Sequence, residues 1–351
     1  APSDLNGSPY YSVVDCVNIQ ATPLIDAAGY IWVFGTFRNS FPGVIKLDPS
    51  AQEVLRIRIE DQIVATPVLA DGALYLAMDG GVAAAYGIDT GTEWWTAKYA
   101  PGCGNDSWSI GHSQGSLVLA GKSNEVMPWN DSVYGVLAAN GAVKWRFQAT
   151  LLMFFTPCLV HGAVIFQDMQ CTVTSLRLAD GSTSWQEKPK GHARSTGQAV
   201  VVKSLNTVFA AANRQAKKEW NAPYGGQGCI RAFDSWSGKM KWQQDFDLEA
   251  NTVPAVAPLG AAGELVVVAC LGASPGLPVK DTATGDCWRS RIVGLDAASG
   301  SVLWAHDFEP WNQYAVRGSS IFNVIQPTIL TNPVAGGDGT LYVGWCGGGG
   351  F

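Results

Sequence analysis

The sequence predicts an all-β chain folded as a β-propeller of about seven four-stranded blades, or eight if a truncated final repeat is counted. Three observations predict it. A Gly-to-Trp hairpin motif recurs five times, a Thr-Pro strand element precedes it, and the 351 residues include 40 Gly and 14 Trp. Periodic glycine with aromatic residues marks blade and barrel architectures.

The hairpin motif places a small residue six positions before a Gly and a Trp four positions after it. It runs Ala85 to Trp95 through Gly91, Gly135 to Trp145 through Gly141, Ser175 to Trp185 through Gly181, Ala232 to Trp242 through Gly238, and Gly294 to Trp304 through Gly300. The last two copies also carry Asp four positions before the Gly, at Asp234 and Asp296. Such a segment reads as a strand, a turn whose Gly takes positive φ, and a second strand presenting an indole to the neighbouring unit. Burying an indole between units removes on the order of 200 Å² from water and sets their orientation. Trp95, Trp145, Trp185, Trp242 and Trp304 are therefore the expected docking residues.

Upstream, Thr66-Pro67 leads an apolar strand to Gly72 and a second strand, and Thr156-Pro157 does the same toward Gly162. Each full unit thus supplies four strands. Thr22-Pro23 opens a degenerate unit that continues through Val44 to Asp48 and lacks the docking Trp, while Val253-Pro254 and Pro327-Thr328 open later ones. The chain is expected to be one propeller domain over 1–351, with repeats near 20–60, 64–100, 108–150, 155–190, 196–247, 252–308 and 325–351, the last incomplete. Spacings of 50, 40, 57 and 62 residues between docking tryptophans put insertions in the later repeats, at Asn213 to Gly228 and Gly272 to Ser290, read as loops. Tyr10 to Gln20 is expected to supply a strand that closes the ring against the unfinished last unit.

With 47% hydrophobic and 15% charged residues the chain is globular rather than disordered, and a net charge of −6 offers no footprint for a phosphate backbone. Nucleic acid is not an expected partner. Apolar runs such as Leu265 to Leu271 are too short to cross a bilayer and match buried strands, so no transmembrane segment is expected. The sequence starts at Ala1 without Met, as expected of a chain whose targeting segment was removed or of one cut there. Its eight cysteines contain no Cys-x-x-Cys. Disulfides in an oxidising compartment are the preferred reading, with Cys158 and Cys171 as a hairpin pair, and reduced core cysteines the alternative; eight cysteines allow 105 pairings. Asn-x-Ser triplets at Asn6, Asn105 and Asn130 agree with secretion. The expected location is extracytoplasmic: periplasm, lumen or extracellular space.

The pattern of small residue, x, Asp, three residues, Gly, three residues, Trp resembles the tryptophan-docking motif of the pyrroloquinoline-quinone-like (quinoprotein-type) propeller superfamily over roughly residues 20–345. Members include quinoprotein alcohol dehydrogenases and non-enzymatic scaffolds such as a bacterial outer-membrane assembly lipoprotein. For the dehydrogenases the resemblance implies pyrroloquinoline quinone (PQQ) on the axis between a Trp and a vicinal disulfide, beside calcium, with an Asp as base. This chain has no adjacent Cys pair and no Cys-x-x-Cys-His haem attachment. Met127 to Asp131 and Glu309 to Asn312 each contain a Pro-Trp-Asn resembling a segment of those enzymes, too little to carry a site across.

Calcium needs oxygen donors converging from loops, and Asn124, Glu125, Asn130 and Asp131 are near enough in sequence to offer some, although a polar turn before the strand at Tyr134 is the preferred reading of them. Asp131 is the candidate base, with a solvated turn carboxylate as the plainer reading. The four histidines share no metal-ligand spacing, and Gly111 to Gly115 matches Gly-x-Ser-x-Gly where a strand, not a helix, follows. Trp94, Trp108, Trp129, Trp220, Trp236 and Trp311 lie off the docking positions; structural use in capping blades is expected of them, since Trp is well buried on average. Trp220, beside Lys217 and Lys218 in an insertion, is the exception expected on a recognition surface.

Strong repeats beside missing chemistry predict a non-catalytic scaffold or subunit that binds another protein. The alternatives are a quinoprotein-type alcohol or sugar dehydrogenase holding PQQ and calcium, and a glycan-binding propeller.

Overall fold

Alternating apolar residues and turn glycines become antiparallel strands throughout the computed structural model. It describes residues 16–19, 21–37, 41–63, 65–99, 109–121, 130–150, 152, 157–216, 227–259, 263–272, 289–308, 315–316, 324–325 and 332–344. Besides two single-turn 3-10 helices at Asp79–Gly81 and Lys203–Leu205, the described residues form only strands, turns and irregular backbone. The fold is an all-β propeller fold.

The first five-stranded sheet runs from Cys16–Ile19 to Glu53–Arg58, and the second, four-stranded, from Val68–Ala70 to Glu93–Lys98. The third runs from Ser109–Ser113 to Val143–Thr150 and the fourth from Cys158–Val160 to Thr183–Glu187. The fifth, from Ala193–Arg194 to Met240–Phe246, has five strands, and the sixth, from Ala255–Pro258 to Val302–Asp307, has four. Two further two-stranded pairs follow, Ala315–Val316 with Val324–Ile325 and Val334–Ala335 with Leu341–Tyr342. The chain divides into two compact units, residues 1–162 with 177–182 and residues 163–176 with 183–351.

Cys16–Ile19 pairs antiparallel with Ile31–Phe37 of the first sheet, Asn18 opposite Thr36 and Ile19 opposite Gly35. The described part of the segment expected to close the ring thus adds a strand to the first sheet. The reason is local: Leu24–Ile25 covers only Ile31 and Trp32, leaving the far half of the seven-residue strand without a ladder partner on that edge. The insertion after Asn213 is likewise shorter than its loop reading, because Thr207–Arg214 and Gln227–Asp234 pair from Thr207 opposite Asp234 to Arg214 opposite Gln227.

In the first unit the core between the first and second sheets is built from Trp32, Phe34, Val44, Ile57, Leu74 and Leu76, all buried. Between the second and third it uses Tyr75, Trp95, Leu117, Leu119 and Tyr134. In the second unit Phe209, Ile230, Val267, Leu271 and Val293 fill the corresponding layer.

The hairpin motif acquires a physical meaning at these seams. In all five copies the small residue stands directly across the ladder from the Trp: Ala85 opposite Trp95, Gly135 opposite Trp145, Ser175 opposite Trp185, Ala232 opposite Trp242 and Gly294 opposite Trp304. A Cβ added at Gly135 or Gly294 would overlap the facing indole. The turn glycine serves the preceding repeat. The Trp95 ring lies over Gly141, Trp145 over Gly181, Trp185 over Gly238 and Trp242 over Gly300, so closely that a Cβ at any of them would stand within 2.5–2.7 Å of the ring. These four glycines also take φ of 70–77°. The indole N–H then donates to the carbonyl three residues before that glycine: Trp95 to Ala138 at 2.9 Å, Trp145 to Leu178 at 2.8 Å, Trp185 to Ser235 at 3.1 Å and Trp242 to Ala297 at 3.1 Å. The motif's Asp holds the turn, since Asp234 Oδ1 accepts from the Ser237 N–H and hydroxyl and Asp296 Oδ1 from those of Ser299. Those bonds hold both carboxyls below the usual range.

The degenerate first repeat keeps the seam by exchanging its parts. Its turn is one residue tighter, with Ala51 at φ 64° donating to the Asp48 carbonyl. Across the ladder Lys46 now stands opposite Leu55, so a long residue occupies the small position and a shorter one the Trp position. Leu55 and Ile57 cover Gly91 of the next repeat, where other copies use an indole. Lys46 Nζ donates to Ile88 O at 3.2 Å, the carbonyl three before Gly91 that an indole would otherwise have reached. Lys46 is only 9% exposed, and its ammonium lies 4.4 Å from the Tyr30 ring centroid and 4.9 Å from that of Trp32.

Candidate functional site

Of the residues read from the sequence as candidates, Asn124, Glu125, Trp108, Trp129, Trp220, Trp311, Lys217 and Lys218 lie outside the described residues. Asn130 and Asp131 open the strand Asn130–Leu137, whose ladder with Val143–Thr150 starts at Asn130 opposite Thr150. Asp131 is therefore not a solvated turn carboxylate. It is 0% exposed, and its Oδ2 accepts from the Leu152 backbone N–H. A carboxylate aimed at backbone in this way ties the segment after Thr150 to the strand. Among the described residues no group of three or more His, Cys, Asp or Glu is placed to hold a metal ion. The Gly111 to Gly115 match forms a hairpin turn, Ser113 pairing with Ser116 across Gln114 and Gly115, both at positive φ.

Among the described residues a concentration of buried polar groups, not marked by any sequence motif, lies in the second unit. Gln167, fully buried, donates from Nε2 to Gly197 O at 2.7 Å and Ala211 O at 2.8 Å, and its Oε1 accepts from Arg231 Nη2 at 3.0 Å. Arg231, 2% exposed, also donates to Cys171 O at 2.7 Å and lies 5.2 Å from the Phe233 ring centroid. Asn213, 0% exposed, accepts from Ala250 N at 2.7 Å and donates to Arg194 O at 2.9 Å and Asn251 Oδ1 at 2.8 Å. Asn251 in turn donates to Glu249 Oε2 at 2.8 Å, and Ser195 Oγ donates to Ala250 O at 2.7 Å. Most of these contacts join residues 30 to 64 apart in sequence. A network whose donors and acceptors meet one another rigidifies a core. It supplies no exposed acid or base.

Beside it, burial pushes the Asp168 carboxyl up to about 6, against the hydrogen bond from the Thr172 N–H. A raised folded-state value means that the protonated form is favoured in the fold. Its contribution to stability is complete below about pH 4 and is lost as pH rises through about 6. Asp168→Asn is therefore expected to be more stable than the parent at pH 8 by on the order of 2 kcal/mol, with the difference closing toward pH 4. Urea unfolding at the two pH values checks it; a pH-independent difference refutes the assignment.

In the first unit a cleft of about 530 Å³ opens between Glu53–Arg58 and the hairpin Val82–Gly87/Glu93–Lys98. Arg58, Glu60, Asp61, Tyr86 and Glu93 are among its lining residues. The Tyr86 hydroxyl donates to Glu93 Oε2 at 3.2 Å, and burial followed by the Glu93 charge raises its pKa. No motif announces this cleft because its walls come from two repeats.

Two off-motif tryptophans depart from the structural use expected of them. Trp94 is 50% exposed, and Trp236, at the turn Asp234 to Gly238, is 60% exposed. Trp94 faces away from the core because Trp95, its neighbour along the strand, already points inward.

Successive antiparallel sheets, with an indole of one repeat laid over the glycine turn of the next, make up a β-propeller fold. The family model of outer membrane protein assembly factor BamB matches residues 27–146. No curated protein sequence matches the chain. Among solved structures it is similar to BamB from Moraxella catarrhalis, at 14% identity and a TM-score of 0.55, over 83% of this chain and 76% of that one. It is equally similar to a europium-containing methanol dehydrogenase, at 14% identity and 0.55, over 95% of this chain and 73% of that one. The quinohemoprotein alcohol dehydrogenase ADHIIG from Pseudomonas putida HK5 follows at 12% identity and 0.50, over 95% and 70%. In fold the chain is similar to these pyrroloquinoline-quinone-like β-propellers, and the family model covers about a third of it. At these identities the likeness to individual structures is one of fold, which does not carry activity.

Proposed function

We propose that the protein is a non-catalytic propeller scaffold that binds a partner protein in an extracytoplasmic compartment. The observation that carries this reading is the exposure of Trp94 and Trp236, at 50% and 60%, on a fold that buries Trp32, Trp95, Trp145 and Trp185 to 9% or less. Exposed indoles are the side chains most enriched at interface hot spots. The buried polar residues that a catalytic reading would recruit are instead committed to one another and to backbone. The similarity to BamB, an assembly factor, agrees with a scaffold role, and its fold is compatible with a location outside the cytoplasm. No helix among the described residues is long and apolar enough to cross a membrane.

The test pairs two measurements. Cross-linking of the full chain in native extract is expected to capture a protein partner, with capture falling at least about tenfold in Trp94→Ala or Trp236→Ala. Calorimetry with PQQ and calcium is expected to show no binding. Calcium-dependent quinone binding with dye reduction on an alcohol panel would replace the scaffold by a dehydrogenase, and a positive glycan array lost in the same variants would replace it by a glycan binder.

A further inference from the structure

The second unit holds two cysteine side chains in one place. Cys171 follows the strand Ala163–Gln167 and Cys229 lies in Gln227–Asp234, and both are 0% exposed. With Ala193 and Ala212 they form one buried cluster between the fourth and fifth sheets. Ala212 stands directly across the ladder from Cys229, which puts both side chains on the same face of the fifth sheet. Cys171 packs against that face in the same buried cluster. Neither Cys171 nor Cys229 is in a disulfide, so the expected Cys158–Cys171 pairing is not made; Cys171 lies beyond the end of its hairpin and packs on the neighbouring sheet.

The surroundings are cationic. Arg231 holds Cys171 by its carbonyl and carries no carboxylate among its hydrogen-bond partners, while its Nε, buried, has no acceptor. Arg214, ion-paired with Asp245, lies near enough to Cys229 to act on it electrostatically. Burial pushes the thiols up to about 12 and about 11, and the guanidinium groups oppose that rise. High values and complete burial make the packed pair slow to exchange. The pair is thus open to chemistry while the two sheets dock and sealed afterwards.

We propose that Cys171 and Cys229 are a modification site, a dithiol that closes to a disulfide joining the fourth and fifth sheets. Two S–H bonds break and one S–S bond forms. Two protons leave, and the electron pair reduces a small-molecule disulfide such as oxidised glutathione to two thiols. The bond closes a loop between positions 171 and 229, long enough for a substantial effect on the unfolded chain.

The full chain, unfolded and refolded with oxidised and reduced glutathione, is alkylated and peptide-mapped without reduction. A single cross-linked pair carrying Cys171 and Cys229 is expected, absent from Cys171→Ser and from Cys229→Ser. Reductant should lower the midpoint of thermal unfolding by about 5 °C or more in the parent and leave both variants unmoved. Recovery of both residues as alkylated thiols in folded protein, or joined to other cysteines such as Cys270, would overturn the proposal. Should a serine variant not fold, the map of the parent chain decides alone.

Discussion

Trp145→Ala is expected to lower the free energy of unfolding by about 3–5 kcal/mol. The residue is 7% exposed, its ring covers Gly181, and its N–H is the donor to Leu178 O at 2.8 Å. Truncation opens an indole-sized cavity and strips a buried carbonyl of its donor, and the strand opposite cannot fill the space because Gly135 has no side chain. Trp304→Ala makes the contrast. Trp304 occupies the same motif position but is 36% exposed, and among the described residues no turn glycine of another repeat lies beneath its ring. Its loss should cost about 1 kcal/mol or less. Urea unfolding of the two variants measures the difference, and equal shifts would mean that the indole-on-glycine seam does not stabilise the sheets.

Asn213→Ala is expected to cost about 3–4 kcal/mol although it removes little apolar surface. The amide uses its oxygen for Ala250 N and both nitrogen protons for Arg194 O and Asn251 Oδ1, all inside a site with no exposure. Removing one partner leaves each buried group to bear its own desolvation, about 1–3 kcal/mol apiece before relaxation. Asn213→Asp should recover none of the loss, because its second oxygen would face the acceptors Arg194 O and Asn251 Oδ1 as a buried charge with no proton to give. Denaturant midpoints for the pair check it. A cost under about 1 kcal/mol for the alanine variant would show that water or local shifts replace the amide.

The repeats were legible because each is local: a small residue, a turn and an indole fall within eleven positions, from Ala85 to Trp95 in the first copy. Local spacing also marks the Asp at the turn, whose oxygens bind a serine three residues on. Other features are not local. Gln167 meets Arg231 across 64 positions and Asn213 meets Asn251 across 38, and neither pair carries a motif, since a polar residue destined for the core looks in sequence like one destined for solvent. Asp131 was misread for the same reason, its carboxylate being directed at a backbone N–H 21 residues away. Trp94 was expected inside because composition ranks its residue type as buried, whereas strand alternation had already given the inward position to Trp95. The Cys158–Cys171 pairing failed because proximity in sequence was mistaken for proximity across sheets.

The first seam, where Lys46 and Leu55 replace a small residue and a tryptophan, bears on how such repeats diverge. Scored column by column, that repeat has lost two signature residues and looks decayed. Scored as a pair, it has made one compensated exchange: bulk moved from one strand to its neighbour, and an amine took over the donor's task at Ile88. What descends from copy to copy is then a sum of volumes and a single proton aimed at one carbonyl. A search that tracks the two positions jointly would recover propeller repeats that a search for tryptophan passes over.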